Sequence, residues 1–145
     1  MREIRALGPA LGCCGHLARE RMDARLVEHD VTPAQVHVLH YLYHHGNQAL
    51  QCEVTAYLKV KPSTANGILD RMEEKGLVER TVHTEDARKR LIALTDKGAA
   101  LQELCRQVFL ETETLLVNGL SPEERETLFA LLGRVMTNLE EDRTT

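Results

Sequence analysis

Apolar residues recur along this chain with two periods, and the changes of period mark out the elements. Over residues 3–29, Ile4, Leu7, Leu11, Cys14, Leu17 and Leu26 fall at helical spacing, with Gly8-Pro9 and Gly12 weakening the start. Cys14 on that stripe reads as a small core hydrophobe. The pattern breaks and restarts at Asp30-Val31-Thr32-Pro33, where Thr32 suits an N-cap and Pro33 the first helical position. This second helix extends to residue 45 and is stopped by Gly46-Asn47. A short helix over 50–58 and a turn at Lys59-Val60-Lys61 follow. Pro62 then opens a helix that runs to Lys75 and is capped by Gly76. Ala65, Ile68, Leu69 and Met72 form its buried stripe; Ser63, Thr64, Asn66, Gly67, Asp70, Arg71 and Glu74 occupy the other face.

The period then shortens to two. Residues 77–82 and 91–94 alternate as strands and flank a charged tip, His83-Thr84-Glu85-Asp86-Ala87-Arg88-Lys89-Arg90, which predicts a hairpin. Thr95 caps a long helix over 96–118. Ser121-Pro122-Glu123-Glu124 starts another with a capping box, whose apolar side is Leu128, Leu131, Leu132, Val135, Met136 and Leu139. Short helix, tight turn, helix, hairpin is the winged helix-turn-helix plan. The fold class is mainly α with a small β-hairpin wing, within a single domain over 1–145. Residues 32–95 form the winged-helix lobe. The long helices over 1–30 and 96–142 hold more apolar surface than one small chain covers, so they pair between two chains as dimerisation helices.

Composition narrows the function. With 145 residues, 43% hydrophobic and 28% charged, the chain is an ordinary globular domain with an aliphatic core. Aromatics at 3%, without Trp, argue against readers of single-stranded nucleic acid, which stack bases on aromatic rings. The four cysteines, Cys13, Cys14, Cys52 and Cys105, form no paired CxxC framework. Without a leader or a long apolar run, the chain is expected in the cytoplasm with reduced thiols and no membrane association. No cofactor and no strict metal motif is evident, and GxSxG, P-loop, GxGxxG and HExxH are absent, so an enzyme is not expected.

The net charge of −4 is unevenly spread. Residues 59–97 carry 9 of the 18 Lys and Arg and are net +2, whereas 98–145 are net −5. A positive middle places a DNA-binding surface there. An α-helix fits the major groove of B-DNA. On the helix from Pro62, Ser63 and Thr64 can meet phosphate with the free N–H groups of the first turn. Asn66 suits adenine or the backbone, Gly67 permits close approach, Arg71 reaches phosphate or guanine, and Lys59 and Lys61 flank the groove. At the tip, Arg88, Lys89 and Arg90 suit a minor groove, and Asp86 can hold Arg88 in place. The plainer alternative makes these first-turn and hairpin charges merely solvated.

The stretch KPSTANGILDRMEEKGLVERTVHTEDARKRLIALTDKG, residues 61–98, makes the reading specific. It resembles the signature of the MarR (multiple antibiotic resistance regulator) family: ST before a helix, D-R-M-E-x-K-G-L-V-x-R, E-D-x-R, then L-T-x-x-G, over about a quarter of the chain. The resemblance implies a triangular homodimer with interleaved first and last two helices. It implies that Ser63, Thr64, Asn66 and Arg71 face the major groove of a pseudo-palindromic operator, and that Arg88, positioned by Asp86, enters the minor groove. It further implies a repressor released by a small, often aromatic, effector or by an oxidant. Gly67 inside the recognition helix and Lys61 at its N-cap depart from good helix chemistry.

Two other triggers stay open. His40 and His44 share a helical face, and Cys52, Glu53 or His16 could complete a zinc site, as in zinc-sensing relatives. Cys13 and Cys14, near His16 and Arg19, suit the thiol switch of peroxide-sensing relatives. A winged helix that binds only protein is the rival of another class; it would not need the Arg88-Lys89-Arg90 tip.

Overall fold

The computed structural model describes residues 2–144. Its elements are α1 Leu7–Val27, α2 Pro33–His44, β1 Gln48–Leu50, α3 Gln51–Leu58, α4 Pro62–Glu74, β2 Val78–Val82, β3 Arg90–Leu94, α5 Asp96–Leu116 and α6 Pro122–Thr144. Two compact units divide between Thr112 and Glu113.

Local chemistry sets most boundaries in the first unit. Thr32 Oγ1 accepts from the Gln35 N–H at 3.2 Å, and the Gln35 side chain accepts from the Thr32 N–H at 3.3 Å, closing the cap of α2. Helix α4 ends in a Schellman motif: Gly76 takes φ +73°, its N–H donates to Glu73 O, and the Leu77 N–H donates to Met72 O. Thr95 Oγ1 accepts from the Gly98 N–H at 3.0 Å at the head of α5 and donates to Gly76 O at 2.6 Å, joining two helix ends. Gly98 lies against that junction. A Cβ there would stand 2.1 Å from Leu77 O, so the position admits only glycine without displacement of the backbone.

Three expectations are corrected. Helix α1 starts at Leu7 and not at residue 3. The ring of Pro9 clashes with the carbonyl four residues back, so the helix cannot extend through Arg5. Cys14 is exposed and not a core residue. Of the predicted stripe only Leu26 is buried; Ile4, Leu7, Leu11 and Leu17 are exposed. The hairpin is also part of a larger sheet. β1 pairs antiparallel with β3 (Gln48↔Ala93, Leu50↔Leu91), giving the order β1-β3-β2. A three-residue strand between a turn and a helix has too few positions to show alternation.

The core of this unit lies among α2, α3, α4 and the sheet. Val38, Leu39, Leu42, Val54, Leu69, Met72 and Ile92 are fully buried. Lys75 Nζ donates to Asp30 O at 2.7 Å and to the Gln35 side chain at 3.1 Å, tying the end of α4 to the head of α2. Arg21 on α1 donates to Thr112 Oγ1 on α5 at 2.6 Å, and Arg25 pairs with Glu111 at 3.6 Å.

In the second unit, Gly119 at φ +84° turns the chain after α5. Ser121 and Glu124 exchange bonds of 2.8 and 3.1 Å, the predicted capping box of α6. No described residue of α6 is buried. Among the described residues no helix is long and apolar enough to cross a membrane.

Candidate nucleic-acid interface

Pro62 opens α4, and the burial of Ala65, Leu69 and Met72 fixes its rotation. Ser63, Thr64, Asn66, Gly67 and Arg71 are consequently exposed, as are Lys59 and Lys61 before them. Lys61 makes no side-chain cap, leaving the first-turn N–H groups without that partner. A side chain on Gly67 would project into open space. Lys59 itself sits at φ +54°, the left-handed C-cap of α3, so the turn between α3 and α4 presents it outward.

The wing carries the second set. Its tip spans residues 83–89; Arg90, expected in the tip, is the first residue of β3 and pairs with Val82. The strand ladder claims Arg90's backbone, while its guanidinium reaches Ala87 O at 3.4 Å. Asp86 Oδ1 accepts from the Arg88 N–H at 3.0 Å and from Arg88 Nε at 3.3 Å. The Arg88 N–H, then its side chain, then the charges of Lys89 and His83, hold the Asp86 carboxyl below the usual aspartate range. The Arg88 side chain is 92% exposed. Asp86 therefore fixes the root of a charge that otherwise stands clear of the protein.

One functional candidate was missed. Arg80 on β2 turns toward α4 and donates to Asn66 Oδ1 at 2.9 Å, to Asp70, and to Glu73 Oε1 at 3.2 Å. Its own backbone N–H donates to Glu73 Oε2 at 3.1 Å. Burial opposes its charge, but the two carboxylates more than offset this and hold the guanidinium above its usual range. Gln51 of α3 also donates to Asn66 Oδ1, at 3.3 Å. These groups line a cleft of about 980 Å³ between α3, α4 and the wing, which Arg88 and Lys89 also border. The signal in the sequence was the carboxylates of Asp70 and Glu73, at helical spacing from Asn66 and beside a face read as DNA-binding, hence in need of a cation.

The family model described as MarR family matches residues 29–89, from the turn before α2 into the wing. MepR, a transcription regulator of the Staphylococcus aureus multidrug efflux pump MepA, shares 30% identity with this chain at a TM-score of 0.85; the match covers 93% of this chain and 99% of MepR. A MepR mutant bound to an oligodeoxyribonucleotide shares 31% identity over 94% of this chain and 99% of its own, with a TM-score of 0.73. MarR of E. coli in its apo form shares 30% identity over 92% of this chain and 98% of its own, with a TM-score of 0.76. MepR has also been solved bound to ethidium bromide; there the TM-score is 0.69 at 31% identity, over 93% of this chain and 97% of its own. This chain belongs to the MarR family. It has the winged-helix fold of that family's transcription regulators, with a three-stranded wing sheet.

Of the candidate trigger residues of this MarR-family chain, Cys52 borders that cleft, whereas Cys13, Cys14, His16, His40 and His44 do not line it. Cys13 and Cys14 are both exposed on α1, and Arg2 Nη1 lies 3.6 Å from Cys13 Sγ. His16 is exposed on the same helix. Cys105 is buried, and burial pushes its thiol up. The His40 and His44 rings meet edge-on with centroids 4.3 Å apart. Partial burial, then the neighbouring charges of His44 and His37, hold His40 below the usual histidine range. Among the described residues no three His, Cys, Asp or Glu come together as metal ligands, so Cys52, Glu53 and His16 do not complete a site with His40 and His44.

Proposed function

We propose that the chain is a sequence-specific regulator of transcription that binds duplex DNA as a homodimer and acts as a repressor released by a small-molecule effector. The exposed polar face of α4 beside an Arg88 anchored by Asp86 is the observation that carries it. Ser63, Thr64, Asn66, Gly67 and Arg71 enter the major groove, with Lys59 and Lys61 on its flanks; Arg88, with Lys89 and Arg90, follows the adjacent minor groove. Segments 1–30 and 96–142 supply the dimer contact, since Leu17, Leu131 and Leu139 are exposed in the single chain. Two recognition helices must then stand about 34–36 Å apart to reach successive major grooves, and an effector that changes this spacing releases DNA. The oligonucleotide and ethidium complexes of MepR support both halves of this reading.

Selection of bound fragments from genomic DNA with the purified chain, followed by a salt titration, tests it. A pseudo-palindromic site with steep salt dependence is the expected result; no enrichment defeats the proposal. A thiol trigger is the second reading, favoured by the exposure of both Cys13 and Cys14. It predicts that an organic peroxide releases DNA from the parent chain and not from a Cys13→Ser, Cys14→Ser double variant.

A further inference from the structure

The side chain of Arg80 is only 17% exposed, and its partners are spent on the helix that faces DNA. A guanidinium offers donors and no acceptor, so the Asn66 atom facing it must be the amide oxygen. Gln51 donates to the same oxygen. An amide oxygen has two lone pairs, and both are engaged here, by Arg80 at 2.9 Å and Gln51 at 3.3 Å. Asparagine reads adenine by accepting from N6 with that oxygen while donating to N7 with its nitrogen. The arrangement closes this mode. The two Nδ2 hydrogens remain, and guanine presents two adjacent acceptors, N7 and O6, in the major groove.

We infer that Arg80 is a positioning residue for base selection: by holding the Asn66 oxygen it makes Asn66 a donor-only group that favours guanine over adenine. This rests on the DNA-binding reading above and revises the adenine contact expected of Asn66. Arg80 touches no base itself. Its ion pairs with Asp70 and Glu73 lock the guanidinium in the orientation that reaches Asn66 and neutralise carboxylates that would otherwise repel phosphate.

The test measures binding to the selected site carrying each base pair in turn, for the parent chain, Asn66→Ala, Arg80→Met and Gln51→Leu. Asn66→Ala locates the base pair concerned as the one where discrimination collapses. There the parent chain favours guanine over adenine. Arg80→Met frees a lone pair and moves the guanine-to-adenine ratio toward adenine by roughly ten-fold. It also weakens all sequences together, a factor that the ratio removes. Gln51→Leu frees the other lone pair, leaves the ion pairs intact, and moves the ratio the same way; it decides the matter if a thermal melt shows Arg80→Met to be unfolded. An unchanged ratio in the folded variants overturns the positioning role, as does a parent chain that favours adenine at that pair or an Asn66→Ala variant that alters no position. If the parent chain selects no DNA at all, the DNA-binding reading itself fails, and that result precedes any variant.

Discussion

Helices α4 and α6 each carry an apolar stripe, and the two stripes meet opposite fates. α4 has 13 residues, and Ala65, Leu69 and Met72 are fully buried. α6 has 23 residues and none is buried; Leu131 is 50% and Leu139 62% exposed. Helix length is thus not what removes a leucine from water. The stripe of α4 faces α2, α3 and the sheet, which the same chain supplies. Each leucine left in water forgoes about 1.5–3 kcal/mol. In the proposed reading, a second copy covers the row of leucines that α6 leaves exposed.

Substitution separates the two cases. Leu39→Ala, in the core that receives α4, costs about 2–5 kcal/mol in chemical denaturation, and that loss does not depend on protein concentration. Leu131→Ala and Leu139→Ala together leave no cavity in the single chain, and their effect enters through association. The gap in melting temperature between variant and parent is then full where the parent chain is associated and closes on dilution as both dissociate. Sedimentation equilibrium shows a weaker dimer, and operator affinity drops because one half-site is vacated with the second recognition helix. A concentration-independent loss in the α6 variant would mean that its face is covered within one chain.

The same contrast explains what was legible beforehand. The Thr32 cap, Gly76, Thr95 and the Ser121–Glu124 box are each settled within a few residues, so local chemistry declared them. The face of α4 followed from its period alone. β1 and Arg80 depend on partners distant in sequence: β1 meets β3 more than 40 residues later, and Arg80 reaches back 14 residues to Asn66. Cys14 failed for another reason. An apolar stripe states that a face seeks cover, and it does not state whether the same chain provides it.

The wing allows a smaller cut on the DNA-binding side of the comparison. Arg88→Ala removes a side chain that is 92% exposed and, among the described residues, bonds to Asp86 alone. Stability should hold within about 0.5 kcal/mol, as for other surface substitutions. The slope of log affinity against log salt should fall by about one unit for each phosphate that the arginine no longer neutralises. Asp86→Ala leaves the charge in place and frees its root, so it should weaken binding with the salt slope little changed. An equal fall of slope in both variants would show that the aspartate does more than orient the arginine.

The smallest expected effect divides the lobe from α6 by acid. His40 is held below the ordinary histidine value, first by partial burial and then by His44 and His37. Unfolding releases that restraint, so the unfolded chain binds more protons through this range. The stabilisation by neutral His40 is complete above its ordinary value of about 6.5. It is lost as the pH falls through the lower value of the folded chain. Thermal melts of the parent chain should therefore decline on acidification, and His40→Gln should flatten that decline, most visibly once Leu131→Ala and Leu139→Ala have removed the association component. α6 carries no histidine, so α6 itself adds no imidazole to the dilution effect of those two substitutions. A His40→Gln variant as acid-sensitive as its parent would place the response in another group, and a dilution effect that grew with acid would place it at the helical interface.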